Sequence, residues 1–450
     1  MNITLVAPRV PRIRAIAVLV AMIAVAVGSQ VAVSLLPRNA ANPAVAREGP
    51  ALDAGLAGVD APTADSTVLR RIHADIAFWS SRLQRQPKDF VSATEWAAAD
   101  IELARATGDL AAWDEAERAT AQALAANPGY GAAVGYRGTV LLALHRFVEA
   151  RDMARSILAE RPGDPFGLST LGDASLDLGA YADARAAYEA LDRTTHSAAS
   201  LVRLGRLAYV DGQPERAISL TRDASAAAEV EGAQGERLAW YRCQLGTLLA
   251  STGDTTGAEA TFMAALTADP RSSLARVGLA RLEGAAGRLD AAIAHLTEAI
   301  LYELRAQPGD ARRAADDRAT VEAIARLAGA NGAVYDRTLA MYLANHGLEP
   351  DRAVAIAQKE LAIRTDVDGY DAVAWALLAA GRARDADVVM AKALAVGTRD
   401  ARLLYHAGMI AAALDDGQRA RRLLTSALAL DATFDPLQVR RARETLAGLP

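Results

Sequence analysis

Apolar and small residues between Pro165 and His196, PFGLSTLGDASLDLGAYADARAAYEALDRTTH, fall on one face at helical spacing twice, with a break between the two runs. Leu171 and Gly172 lie in a first helix that Gly179 closes; Tyr181 opens a second, on which Ala184, Tyr188 and Leu191 share a face. Gly172 and Ala184 are small where two helices must approach closely, and Tyr188 and Leu191 supply the bulk beside them. Such a hairpin cannot bury its apolar face alone, whereas copies stacked side by side can. The stretch therefore predicts a repeat array, and a surface rather than a reaction centre.

The same rhythm runs along the chain in steps of twelve residues: Gly138, Ala150 and Pro162; Gly172 and Ala184; Gly205 and Ala217; Gly246, Ala258 and Pro270; Ala280 and Ala292; Ala374 and Ala386; Gly408 and Ala420. Gly179, Gly212, Gly253, Gly287, Gly347 and Gly381 each precede the small residue of the second helix by five or six positions, as turn residues should. With Trp113-Asp-Glu-Ala116 and Pro128, this series resembles the tetratricopeptide repeat, a helix pair of about 34 residues, over nearly all of Ser92 to Pro436, about nine units. The resemblance implies an all-α solenoid, a right-handed superhelix of helix pairs whose concave face is lined by the first helix of each pair. Three places depart from the pattern. Residues 225–239 add length after the fourth unit and are expected to extend its second helix before Trp240 starts the next. The spacing fails near 303–332, which reads as one long helix. After Pro436, residues 436–448 read as a capping helix bearing Arg440, Arg441 and Arg443.

Upstream of the repeats the pattern changes. Residues 15–37, AIAVLVAMIAVAVGSQVAVSLLP, run 23 positions without a charge. At about 1.5 Å per residue they span a hydrocarbon core of about 30 Å, which predicts one transmembrane helix. Arg9, Arg12 and Arg14 precede it and Arg38 and Arg47 follow, so residues 1–14 are expected in the cytoplasm and the solenoid outside it. The alternative is a signal peptide cleaved after Ala26-Val27-Gly28 or Ala44-Val45-Ala46, which would leave a secreted protein; the first site cuts into the apolar run and the second lies well past it. Residues 38–65, rich in Ala, Pro and Gly, read as a tether, and 66–450 as the solenoid. Leu69, Ile72, Ile76, Trp79 and Leu83 form the stripe of its first helix, and Ser92-Ala-Thr-Glu95 has the form of a capping box.

Composition narrows the reading further. The chain is 52% hydrophobic but only 5% aromatic, and much of the apolar content is alanine, which suits closely packed helices. A net charge of −5, with four arginines and no acid in residues 1–38, leaves the repeats acidic and without a footprint for nucleic acid. A single cysteine, Cys243, excludes an internal disulfide, and its place in WYRCQLGTLL predicts a buried small residue.

No sequence motif for catalysis stands out. Six histidines, His73, His145, His196, His295, His346 and His406, are scattered without metal-ligand spacing, and neither a phosphate-binding glycine loop nor a G-x-S-x-G elbow occurs. Asp316-Asp317 and Asp415-Asp416 read as solvated helix ends. No metal, cofactor, small-molecule substrate or enzymatic activity is expected. On the first helix of the third unit, Phe166, Ser169, Asp173 and Asp177 form a stripe facing the groove. Equivalent positions give Arg206, Tyr209, Trp240, Arg281, Arg337, Asp368, Asp371, Trp375, Arg402 and Tyr405, a mixture of aromatics and arginines of the kind that dominates protein interfaces. Trp240, Trp375 and Tyr405 fit equally well as filling between hairpins. The expected role is a membrane-anchored scaffold that binds another protein or an extended peptide. A maturation chaperone for exported proteins is the second reading, and an enzyme with a dispersed site the third.

Overall fold

The computed structural model describes residues 64–107, 110–270, 272–288 and 336–449, so the expected membrane helix, most of the tether and the irregular segment near 303–332 lie outside the described residues. Nineteen helices and no strand are found among the described residues. α1 (Ala64–Arg85) leads into hairpins α2 (Phe90–Thr107) with α3 (Leu110–Ala126), α4 (Gly131–Ala143) with α5 (Phe147–Glu160), and α6 (Pro165–Asp177) with α7 (Tyr181–Thr195). α8 (Ala198–Val210) with α9 (Pro214–Val230) and α10 (Gly235–Ser251) with α11 (Thr255–Ala268) follow, then α12 (Ser273–Ala285). The C-terminal array comprises α13 (Asp336–His346) with α14 (Pro350–Leu361), α15 (Val367–Ala379) with α16 (Ala383–Leu394), α17 (Ala401–Ala413) with α18 (Gly417–Leu430), and α19 (Pro436–Gly448). First helices of neighbouring hairpins pack on one another, α4 on α6 and α13 on α15, which puts them on the inside of the curve.

The twelve-residue rhythm is what holds each hairpin shut. Ala150, Ala184, Ala217, Ala258, Ala386 and Ala420 are all fully buried. A Cβ at Gly172 would collide with the Tyr188 ring, and one at Gly408 with Leu424, so these glycines let a bulky partner sixteen positions on lie against backbone. The six turn glycines, Gly179, Gly212, Gly253, Gly287, Gly347 and Gly381, all have positive φ, between 63° and 82°. Aspartates start many of the helices. Asp164 accepts from the N–H groups of Phe166 and Gly167, Asp366 from Gly369, and Asp400 from Leu403.

Two boundaries differ from expectation. α2 begins at Phe90, because Asp89 after the Pro87 turn caps it by accepting the Ser92 N–H at 3.1 Å and the Ser92 hydroxyl at 2.7 Å; Ser92 is the bonded partner, not the cap. The extra residues after the fourth unit do lengthen α9 to seventeen residues, but α10 starts at Gly235, so Trp240 sits inside that helix.

The chain also returns alongside itself. The turn at Gly179 meets the Thr365 carbonyl, that at Gly212 meets the Gly397 carbonyl, and that at Gly253 meets the Leu430 carbonyl. Higher numbers pair with higher numbers, so the two arrays run in the same direction, as successive turns of a coil do. The hairpin turns of one array thus abut the loops between hairpins of the next.

Candidate functional site

The inner face is built by the first helices, and the contact between the arrays by their ends. On α6 and α8, Arg203 donates Nε and Nη2 to the two oxygens of Asp173 at 2.9 and 2.8 Å, and the Tyr188 hydroxyl donates to Oδ1 at 2.8 Å. Asp177, one turn further, accepts both Nε (3.0 Å) and Nη2 (2.6 Å) of Arg364 from the loop before α15. Arg206 stands 3.5 Å from the same oxygen. Arg364 also reaches Asp366 at 3.1 Å and lies over the Phe147 ring. Arg337 of α13 completes the lattice, donating Nη2 to Glu360 at 3.0 Å and to Asp366 at 2.7 Å. Burial pushes the Asp177 carboxyl up against the pull of Arg364 and Arg206; Asp366, equally enclosed, is held low by Arg337 and Arg364.

Further hydrogen bonds flank this lattice. The hydroxyls of Thr365 and Thr398 donate to the carbonyls of Leu178 (2.8 Å) and Val210 (2.6 Å). The Val367 N–H donates to the Tyr181 hydroxyl at 2.9 Å, and the Tyr209 hydroxyl donates to Asp400 at 2.6 Å.

A second polar cluster lies within the C-terminal array. His406, fully buried, places Nδ1 at 2.9 and 3.0 Å from the oxygens of Asp371 and stacks on Trp375 with ring centroids 4.1 Å apart. Trp375 Nε1 and Gln438 Nε2 both donate to Asn345 Oδ1, at 2.7 and 2.8 Å. The other His406 nitrogen faces the Gln438 amide at 3.5 Å, and among the described residues no hydroxyl or thiol stands where an Asp-His pair would activate a nucleophile. The cluster ties α13, α15, α17 and α19 together.

These contacts decide where the expected surface residues fall. Asp173, Asp177, Asp371, Trp375 and Tyr405 are each 8% exposed or less, and Ser169 is buried with them. Helical spacing alone puts them on an open groove; burial under the neighbouring hairpin, or under the C-terminal array for Asp177, removes them from it. Arg337 is committed to Glu360 and Asp366. Phe166, Arg206, Tyr209 and Trp240 are half-buried, and Arg281, Asp368 and Arg402 are exposed. Thr365, Thr398 and Arg364 were not singled out from sequence. The available signal is that their loops carry Thr where Asn127-Pro128-Gly129 and Arg161-Pro162-Gly163 stand in the first units.

The model of the tetratricopeptide repeat family matches residues 101–165 and 243–311, so these two stretches are similar to tetratricopeptide repeats. Among the curated proteins none matches. Solved structures similar to the chain include the TPR domain of P58(IPK), with 12% identity over 85% of this chain and 96% of that one at a TM-score of 0.22. A tetratricopeptide repeat protein from Parabacteroides merdae matches with 15% identity over 80% and 97%, TM-score 0.25. The Cut9-Hcn1 hetero-tetramer of APC/C matches with 14% identity over 85% and 94%, TM-score 0.29. Superpositions this loose carry no weight, and the fold rests on the helix order and contacts described above.

Proposed function

We propose that the protein is a non-enzymatic scaffold that holds an extended polypeptide against the inner face of its solenoid. The observation that supports this best is the run of first helices with mixed side chains at the surface: Arg281, Asp368 and Arg402 exposed, with Phe166, Tyr209 and Trp240 half-buried among them. Alternating charge with aromatic patches suits a polypeptide of mixed composition better than a uniformly acidic or basic ligand. Residues 15–37 anchor the chain in this reading, with the repeats outside the cytoplasm, and the tether raises the effective concentration of partners in the same membrane.

Crosslinking followed by capture from the source cell tests the scaffold. One stably co-purifying partner, with capture reduced by Trp240→Ala together with Arg402→Glu at unchanged helicity, is the expected result. Weak binding of many extended peptides with suppression of their aggregation would point to a maturation chaperone, and recovery of neither would reject both. Membrane fractionation and N-terminal sequencing test the anchor, which requires the intact N-terminus in the membrane fraction.

A further inference from the structure

The junction between the two arrays is built differently from the contacts within each. The C-terminal array has a core of its own, running from Ala340 through Trp375 and Tyr405 to Ala442, and the N-terminal hairpins have theirs. Apolar overlap between them is thin. Among the described residues, Tyr181 and Val210 are the N-terminal residues packed on the C-terminal core, and Ile363 is the C-terminal residue packed on the cluster of Leu141, Leu142 and Phe147. What joins the arrays instead is directional: two threonine hydroxyls on backbone carbonyls, two tyrosine hydroxyls, and the Asp177–Arg364 pair. Polar junctions between bodies with separate cores permit relative motion, whereas a broad apolar one would not. Closing this one also strips water from Asp177 and Arg364, which offsets much of the attraction gained. Gly179 and Gly212 make closure sterically possible, since a Cβ at either would overlap the carbonyl oxygen of Thr365 or Gly397.

We propose that this junction is a releasable clasp: the N-terminal hairpins and the C-terminal hairpins are two bodies that separate along the line from Gly179 to Gly212 and close again. Its use follows from the function proposed above, because opening admits a polypeptide to the inner face from the side. The motion itself does not depend on that function and is measured without any partner.

The test is a distance measurement between spin labels at Glu215→Cys and Arg384→Cys, both exposed and on opposite arrays, in the full chain with Cys243→Ala. Gly179→Ala with Gly212→Ala should move the distribution to longer distances while helicity is kept. Gly381→Ala, a positive-φ turn glycine with nothing near its Cβ direction, should leave the distribution unchanged and so controls for turn strain. Thr365→Val with Thr398→Val removes only two hydroxyls and should raise the long-distance population at least about tenfold. A single short distance in both double variants would overturn the proposal. So would a wedge variant that loses helicity throughout the chain, because the junction would then be part of one indivisible core.

Discussion

Arg203 and Asp173 form a two-pronged ion pair thirty positions apart, closed to solvent, with the Tyr188 hydroxyl on the same carboxylate. The pair joins the first helices of consecutive hairpins, α6 and α8, at a depth where neither charge can be hydrated. Removing one partner leaves the other charge buried, so Asp173→Ala should cost about 3–5 kcal/mol in chemical denaturation. Asp173→Leu with Arg203→Met should recover most of that loss, since an apolar pair of similar volume restores contact without an orphaned charge. A double variant no more stable than the single would show that the pair acts through something other than its charges.

Gly172 and Gly163 separate helix contact from mere glycine content. A Cβ on Gly172 meets the Tyr188 ring, whereas one on Gly163, in the loop before α6, meets nothing within 4 Å. Gly172→Val should therefore destabilise by about 1–3 kcal/mol, as an overpacked contact does. Gly163→Val should fall within about 0.5 kcal/mol of the parent, as surface changes do. Thermal denaturation of the two variants side by side checks both figures.

Asp415 occupies with φ of 60° the turn position that glycine holds at Gly179, Gly212 and Gly381. An L side chain in that region is strained, and Asp415 is exposed, so little is lost by removing it. Asp415→Gly should raise stability by about 0.5–1 kcal/mol, read as a higher denaturant midpoint at unchanged slope.

The hairpins were legible in the sequence because their contacts are local. Gly172 lies sixteen residues before Tyr188 in one hairpin, so the chain itself records which small residue faces which bulky one, and the turn glycines record where it reverses. The candidate surface was only partly legible. A stripe of Phe166, Ser169, Asp173 and Asp177 follows from helical spacing, but whether it stays open depends on Arg203 one repeat later and on Arg364, 187 positions away. Nothing in the local spacing carries that information. Asp371 and Trp375 were misplaced for the same reason: their partners, His406 and Asn345, lie on other helices.

His346, at the end of α13, should make the C-terminal array acid-labile. Burial holds its pKa down at about 4, with Arg441 pushing the same way and Asp435 opposing. The folded chain thus keeps the ring neutral where the unfolded chain would protonate it, so its contribution is complete above about 6.5 and is lost as the pH falls from there towards 4. The slope from this one group cannot exceed about 1.4 kcal/mol per pH unit. His346→Gln, which cannot titrate, should flatten the decline in melting temperature between pH 6.5 and 4; an unchanged decline would assign the acid sensitivity to other groups.

Cys243 reports on the middle of the N-terminal array. Its side chain is 2% exposed on α10, Sγ lies 3.7 Å from the Ser272 hydroxyl, and burial pushes the thiol up to about 12. A thiol with that pKa is thiolate about a thousandfold less often at pH 8 than an unperturbed one, and the reagent cannot reach it without separation of α10 from its neighbours. Labelling with an aromatic disulfide should therefore be immediate in denaturant and slower by at least about a thousandfold in the native chain, with a rate that follows the local opening equilibrium. Because Cys243 is enclosed within the cluster of Ala239, Phe262 and Leu279 and not at the Gly179 or Gly212 turns, the wedge substitutions at those glycines should leave its labelling rate unchanged even as the clasp opens. Acceleration there would mean that the disturbance spreads from the turns through the N-terminal array.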